Sequence, residues 1–141
     1  MYKYLKGGVS SDFRGKIKFV NEFDMKKVKR FYIINNSELE IVRGWRAHRI
    51  ECRWFYPIVG SFKMFLVKID NWALPNQYLN IEELLLDSKD NKVLYIPSGY
   101  GVAFQMLENN SEVLVFADHY LEHSSKDDFT FPLDYFKNIK L

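Results

Sequence analysis

The sequence predicts an all-β protein, a sandwich or barrel. Short apolar runs rich in branched and aromatic residues recur along the chain and are broken by turn residues. Hardly any segment keeps a helical period for more than two turns, and aromatic residues make up 17% of the chain, which suits pleated, half-buried surfaces.

Taken in order, the expected strands are "KIKFVNEF" (16–23), "VKRFYIINN" (28–36), "WFYPIVGSFKMFLVKID" (54–70), "KVLYIPSG" (92–99), "VAFQML" (102–107) and "EVLVFADHY" (112–120). Within the third run, "VGSF" sets turn residues between two strand-like flanks, so it reads as a hairpin. "NIEELLLDS" (80–88) fits one helical turn or a strand and is read as a strand. The tail carries Phe129, Phe131, Leu133 and Phe136, which are expected to pack back onto the sheets. No repeat, low-complexity segment or linker divides the 141 residues, so one domain spanning 1–141 is expected.

Composition narrows the function classes. A net charge of +2 is too small to mark a nucleic-acid protein, and the basic run "MKKVKR" (25–30) reads as a solvated turn. Cys52 is the single cysteine, which rules out an intramolecular disulfide or a multi-cysteine zinc site and fits a reducing compartment, by default the cytoplasm. No apolar stretch approaches the roughly 20 residues that span a bilayer, and the N-terminus lacks the apolar centre of a signal peptide, so neither a membrane nor an export role is expected.

The most informative stretch is "VRGWRAHRIECRWFYPIVGSFK" (42–63), which threads charge through strand-like sequence. If "WRAHR" is extended, Arg46 and His48 share one face and Trp45, Ala47 and Arg49 the other. Arg53 and Phe55 fall together, opposed by Trp54 and Tyr56. Arg46, His48 and Arg53 then form a cavity wall backed by aromatic residues, and buried positive charge is costly unless an anion meets it. Either Glu51 neutralises the cluster or a ligand does. Tyr32, Tyr95 and Gln105 are cavity candidates by strand placement. His119 and His123, in a polar stretch, are expected to face solvent, and Trp45, Trp54 and Tyr56 to be core. Glu82 and Glu83 are adjacent and would face opposite ways on a strand, so they make no carboxylate pair for glycoside hydrolysis.

In their order, "DFRG", "NNSELEIVRGWRAH", "VGSFKMFLVKID", "LYIPSGYGVAFQMLE" and "VLVFADHY" resemble the sugar-nucleotide cupins. These are the dTDP-4-dehydrorhamnose 3,5-epimerases and the WxcM-like or FdtA-type 3,4-ketoisomerases, and the likeness runs from about Asp12 to Tyr120. The resemblance implies a cupin double-stranded β-helix, or jelly roll, with a substrate cavity inside the barrel and a homodimeric assembly. It places Arg43 on the nucleotide diphosphate and Arg14 on the nucleotide side. It puts Arg53 near the epimerase lysine that holds the enolate, where a donor is needed for the charge that develops at oxygen.

The departures from the family pattern bear on mechanism. Ketoisomerases read "RGxHAH" with the first histidine as base; this chain has Arg46 there, and a guanidinium cannot accept the proton. His48 matches the second histidine and is the remaining base candidate. The epimerase tyrosine acid maps near Leu114, leaving Tyr120 as the candidate acid. Metal-binding cupins need further histidines, and Val102 stands where a third ligand belongs, so no metal and no other cofactor is expected.

The expected function is therefore isomerisation or epimerisation of a nucleotide-activated 4-keto-6-deoxyhexose through an enediolate, for deoxysugars of a bacterial surface glycan. His48 would be the base, Arg46 and Arg53 the enediolate stabilisers, Tyr120 the acid, and Arg14, Arg43, Glu51, Tyr32 and Gln105 the substrate contacts. The alternative is a non-catalytic cupin that binds a sugar nucleotide, favoured by Arg46 itself. A third option is an enzyme of the same fold whose arginines serve a carboxylate substrate.

Overall fold

The computed structural model describes residues 1–141. Its strands are β1 (Lys3–Lys6), β2 (Gly8–Asp12), β3 (Gly15–Phe19), β4 (Arg30–Ile34), β5 (Val42–His48), β6 (Arg53–Val59), β7 (Ser61–Lys68), β8 (Ile81–Asp87), β9 (Lys92–Ile96), β10 (Tyr100–Met106), β11 (Glu112–Ala117) and β12 (Phe129–Phe131). A single helical turn, α1 (Leu121–Ser124), lies between the last two. All pairings are antiparallel. They build one sheet in the order β1-β9-β6-β11-β4, a second in the order β12-β5-β10-β7-β8, and a separate β2-β3 hairpin.

The sheets pack face to face over a core that includes Phe55, Phe62, Met64, Leu66, Leu94, Ile96, Val102, Phe104, Val113 and Val115. Alternation supplies it: Phe62, Met64 and Leu66 are every second residue of β7, as Val102, Phe104 and Met106 are of β10. Phe65 and Val67 point the other way, into a second core with Trp45, Ala47, Ile69 and Ala103 that is closed by Phe136. This outer layer is why β7 reads as a continuous apolar run: both of its faces are covered.

Several expectations meet the structure directly. The "VGSF" hairpin forms, with Gly60 at φ 78° between β6 and β7. The 80–88 stretch is a strand, β8, followed by a 3₁₀ turn at Ser88–Asp90. The expected 16–23 strand stops at Phe19 because the chain turns back to set the Phe23 ring against Trp54 and Phe116, 5.7 and 5.2 Å away. β1 and β2 were not foreseen, nor was β12, which the tail adds to the edge of β5.

Candidate functional site

A cavity of about 380 Å³ opens between the sheets, lined by Tyr32, Arg43, Arg46, Arg53, Phe55, Phe104, Thr130 and Phe131 among others. Three guanidinium groups line it, two from β5 and one from β6, and no carboxylate does. Strand alternation alone would put Arg43 and Arg46 on opposite faces, because they are three residues apart. A bulge removes the conflict: Arg46 lies opposite Val102 and Arg43 opposite Phe104, so β5 spends one extra residue, at Gly44–Trp45, where β10 spends none. Both arginines then lie across from inward-facing residues.

The arginines are held differently. Arg43 donates from Nε to Asn36 Oδ1 at 2.7 Å and from Nη2 to the Asn35 carbonyl at 3.2 Å. Arg46 pairs with Asp128 at 3.1 Å. Arg53, only 6% exposed, has its guanidinium 5.4 Å from the Phe55 ring centroid and neither a hydrogen-bond acceptor nor a carboxylate partner of its own. An enclosed, unpaired cation opening into a cavity calls for an anion.

His48 lies two residues along β5 from Arg46, yet it is 4% exposed and does not line the cavity. Its Nδ1 is 2.6 Å from the Asp127 carbonyl oxygen and, since a carbonyl only accepts, carries the hydrogen. Its Nε2 faces Glu51 Oε2 at 3.4 Å. Burial, followed by the charge of Arg53, holds the imidazole pKa below its usual value, against the opposing pull of Glu51, so His48 rests neutral. Glu51 itself is 2% exposed; Oε1 accepts from Arg30 Nη2 at 3.2 Å, whereas Oε2 has no hydrogen-bond partner. The Asp127 carboxylate receives the backbone N–H groups of Arg49, Ile50 and Glu51 at 2.8, 2.9 and 2.8 Å, which ties the tail to the β5–β6 turn.

Other expected contacts lie elsewhere. Arg14 sits in the β2-β3 hairpin with its side chain 75% exposed and bound to Asp12. Tyr120 is 52% exposed at the start of α1, with Lys29 Nζ 5.8 Å above its ring. Gln105 falls between Phe104 and Met106, both of which enter the inner core, and donates its amide to the Leu39 carbonyl. Tyr95 packs beside Trp54 on the outer face, with ring centroids 5.2 Å apart. Glu51 belongs to the His48 cluster rather than to the cavity lining. Of the expected set, the cavity gathers Tyr32, Arg43, Arg46 and Arg53.

Residues the sequence reading missed are Arg30, Asp127, Thr130 and Phe131. Arg30 closes the "MKKVKR" run, but unlike the exposed lysines it is drawn inward to Glu51, Ser124 Oγ and the His119 carbonyl. A signal existed: it is the first residue of a strand, two positions before Tyr32 on the same face. His119 is only partly exposed and binds Asp118 at 2.6 Å, whereas His123 is exposed as expected.

No curated protein matches the chain. Among solved structures, a 3,4-ketoisomerase from Helicobacter canadensis superposes with a TM-score of 0.72 at 19% identity, over 96% of this chain and 95% of that one. A mutant of QdtA, a 3,4-ketoisomerase from Thermoanaerobacterium thermosaccharolyticum, solved with TDP-4-keto-6-deoxyglucose, gives 0.71 at 20% identity over 96% and 91%. A double mutant of ChmJ, a 3'-monoepimerase from Streptomyces bikiniensis solved with dTDP, gives 0.78 at 16% identity over 99% and 74%. These likenesses establish the cupin-like fold. The family model described as FdtA, WxcM-like, C-terminal matches residues 4–140, nearly the whole chain, and the protein belongs to that family.

Proposed function

We propose that the chain binds a nucleotide-activated 4-keto-6-deoxyhexose in the 380 Å³ cavity and shifts a proton beside the ketone, as a 3,4-ketoisomerase or a related epimerase. The observation that carries this reading is Arg53: a buried guanidinium without a protein partner, facing a cavity that holds two further arginines and no acid. Such a group suits an oxygen on which charge develops as the carbon beside the carbonyl loses its proton. Arg43 and Arg46 offer forked donors to the diphosphate and the sugar. The substrate's own carbonyl acidifies the carbon, so the proposal invokes no cofactor.

Proton transfer falls to His48 and Tyr32 in this reading. His48 rests neutral with Nε2 unprotonated, and it serves as the base only if its ring turns from Glu51 toward the cavity. Tyr32 is the one residue lining the cavity, apart from the arginines, with a dissociable proton, and it takes the acid role expected of Tyr120. Arg14 serves a nucleotide only if the projecting β2-β3 hairpin reaches the cavity of a second copy, which accords with a proposed homodimer. The proposed setting is the cytoplasmic synthesis of deoxysugars for a surface glycan.

The second reading is a non-catalytic sugar-nucleotide binder. Two observations favour it: Arg46 stands at the usual base position, and His48 is enclosed rather than lining the cavity. Proton NMR in deuterium oxide with dTDP-4-keto-6-deoxyglucose separates the two. Exchange at C3 or C5 that is lost in His48→Ala supports the enzyme. Binding without exchange sinks it and leaves the binder; absence of binding sinks both and turns attention to simple carboxylates.

A further inference from the structure

The three guanidinium groups of the cavity differ in what stands beside them. Arg43 is held by neutral oxygens, the Asn36 amide and the Asn35 carbonyl, and Arg53 has no acceptor, so both keep their full charge. Arg46 is the exception. Asp128 Oδ1 lies 3.1 Å from its Nε, and no protein acceptor takes its Nη1 or Nη2 groups. Its charge is therefore offset while its terminal donors stay free. Phosphate is recognised by charge and forked donors together, so a compensated guanidinium is the poorer partner for phosphate and the better one for a neutral oxygen.

Position separates the arginines as well. Arg43 lies near the start of β5, beside Asn35 and Asn36. Arg46 lies three residues on, toward the end of the strand where the charge of Arg53 acts on His48. The antiparallel partner of Arg46 on β12 is Thr130, which also lines the cavity and whose hydroxyl makes no hydrogen bond within the protein. Arg46 and Thr130 thus stand side by side on one wall, one with N–H donors and the other with a hydroxyl that donates and accepts.

We infer that Arg46 and Thr130, with Asp128 on the Nε side of the guanidinium, are the specificity-determining edge of the cavity and read hydroxyl oxygens of the sugar ring, leaving the diphosphate to Arg43. The inference rests on the nucleotide-sugar reading above and deepens it by dividing the cavity into a sugar side and a phosphate side. Asp128 acts through Arg46 and is a positioning residue: it holds the Nε edge and offsets the charge that would otherwise draw a phosphate to the wrong end. Such an edge favours sugars whose hydroxyl groups meet both residues, because a sugar lacking them strips water from these groups without replacing it. Thr130 and Asp128 both come from the tail, so the tail closes the cavity and also selects the sugar.

Calorimetric titration of the full chain with dTDP and with dTDP-4-keto-6-deoxyglucose, in about 0.15 M salt, tests this division, the readout being the ratio of the two affinities. Thr130 and Asp128 are exposed, so replacing them leaves the fold intact. Thr130→Val is expected to weaken the sugar nucleotide roughly ten-fold, the loss of about one hydrogen bond, and to leave dTDP unchanged. Asp128→Asn should shift the ratio against the sugar nucleotide by a similar factor, whereas Arg43→Gln, on the phosphate side, should weaken both ligands alike. No loss or equal losses for the two ligands in Thr130→Val, or an unmoved ratio in Asp128→Asn, overturn the inference, as does an Arg43→Gln variant that weakens only the sugar nucleotide. A wild type that binds neither ligand defeats the nucleotide-sugar reading instead, so the two failures are told apart.

Discussion

Arg53 and His48 show how little at the single-residue level is decided by residue type. Both are enclosed, but Arg53 is left without a partner beside open space, whereas His48 is gripped at Nδ1. Replacing Arg53 by Met keeps the stem and removes the charge. Exchange into the sugar is expected to drop by about 10²–10³-fold, the cost of losing one donor at a developing oxyanion. Unfolding stability should be unchanged or raised, because an unpaired buried cation is removed; a clear loss of stability with intact exchange would show that Arg53 is structural.

The His48 pKa also makes a statement about stability. Burial and Arg53 lower it in the folded state, so the unfolded chain binds the proton more readily. Stability from this site is fully present above the usual imidazole value of 6.5 and is lost as the pH falls below it toward the folded value. Denaturant midpoints measured across that interval should fall with pH in the wild type and fall less in His48→Gln; identical curves would contradict the assignment.

At the scale of elements, the β6–β7 turn and the tail each impose a constraint. Gly60 has φ 78°, and a Cβ there would collide with Ser111 Oγ, the atom that receives the Ser61 backbone N–H and donates to the Glu108 carbonyl. Gly60→Ala should therefore cost about 1–3 kcal/mol in denaturant unfolding, from backbone strain and disruption of that cluster.

The tail acts through Phe136, which is fully buried with ring centroids 5.1 Å from Trp45 and 5.5 Å from Phe131. Phe136→Ala should cost about 3–5 kcal/mol. Because Thr130 and Phe131 wall the cavity, it should weaken nucleotide binding as well. Calorimetry showing lower stability with unaltered dTDP affinity would mean that β12 does not shape the site.

For the whole molecule, the two sheets bury one core between them and a second under the tail, while the outer face of the other sheet is left partly uncovered. Phe31 is 65% and Ile33 52% exposed on β4, and the β2-β3 hairpin exposes Val9 and Ile17. Sedimentation should find a dimer that Phe31→Asp with Ile33→Asp disrupts; a monomeric wild type would remove the proposed homodimer and with it the role of Arg14. No helix is long and apolar enough to cross a membrane.

The sequence by itself determined the all-β class, the Gly60 hairpin, the strand character of 81–87 and the shared face of Arg46 and His48, because alternation and turn chemistry are local. It also carried the family, through motifs whose order survives in one dimension. Tertiary structure decided the rest. The bulge at Gly44–Trp45 shifts Arg43 relative to the alternation, and a one-residue insertion leaves no trace in residue types. The tail strand β12 is short and gains its place by pairing with β5, a contact more than 80 residues distant in sequence. Arg30, Glu51, His48 and Asp127 come from three separated segments, so their mutual neutralisation, and the one oxygen it leaves unpaired, exist only once the sheets have closed.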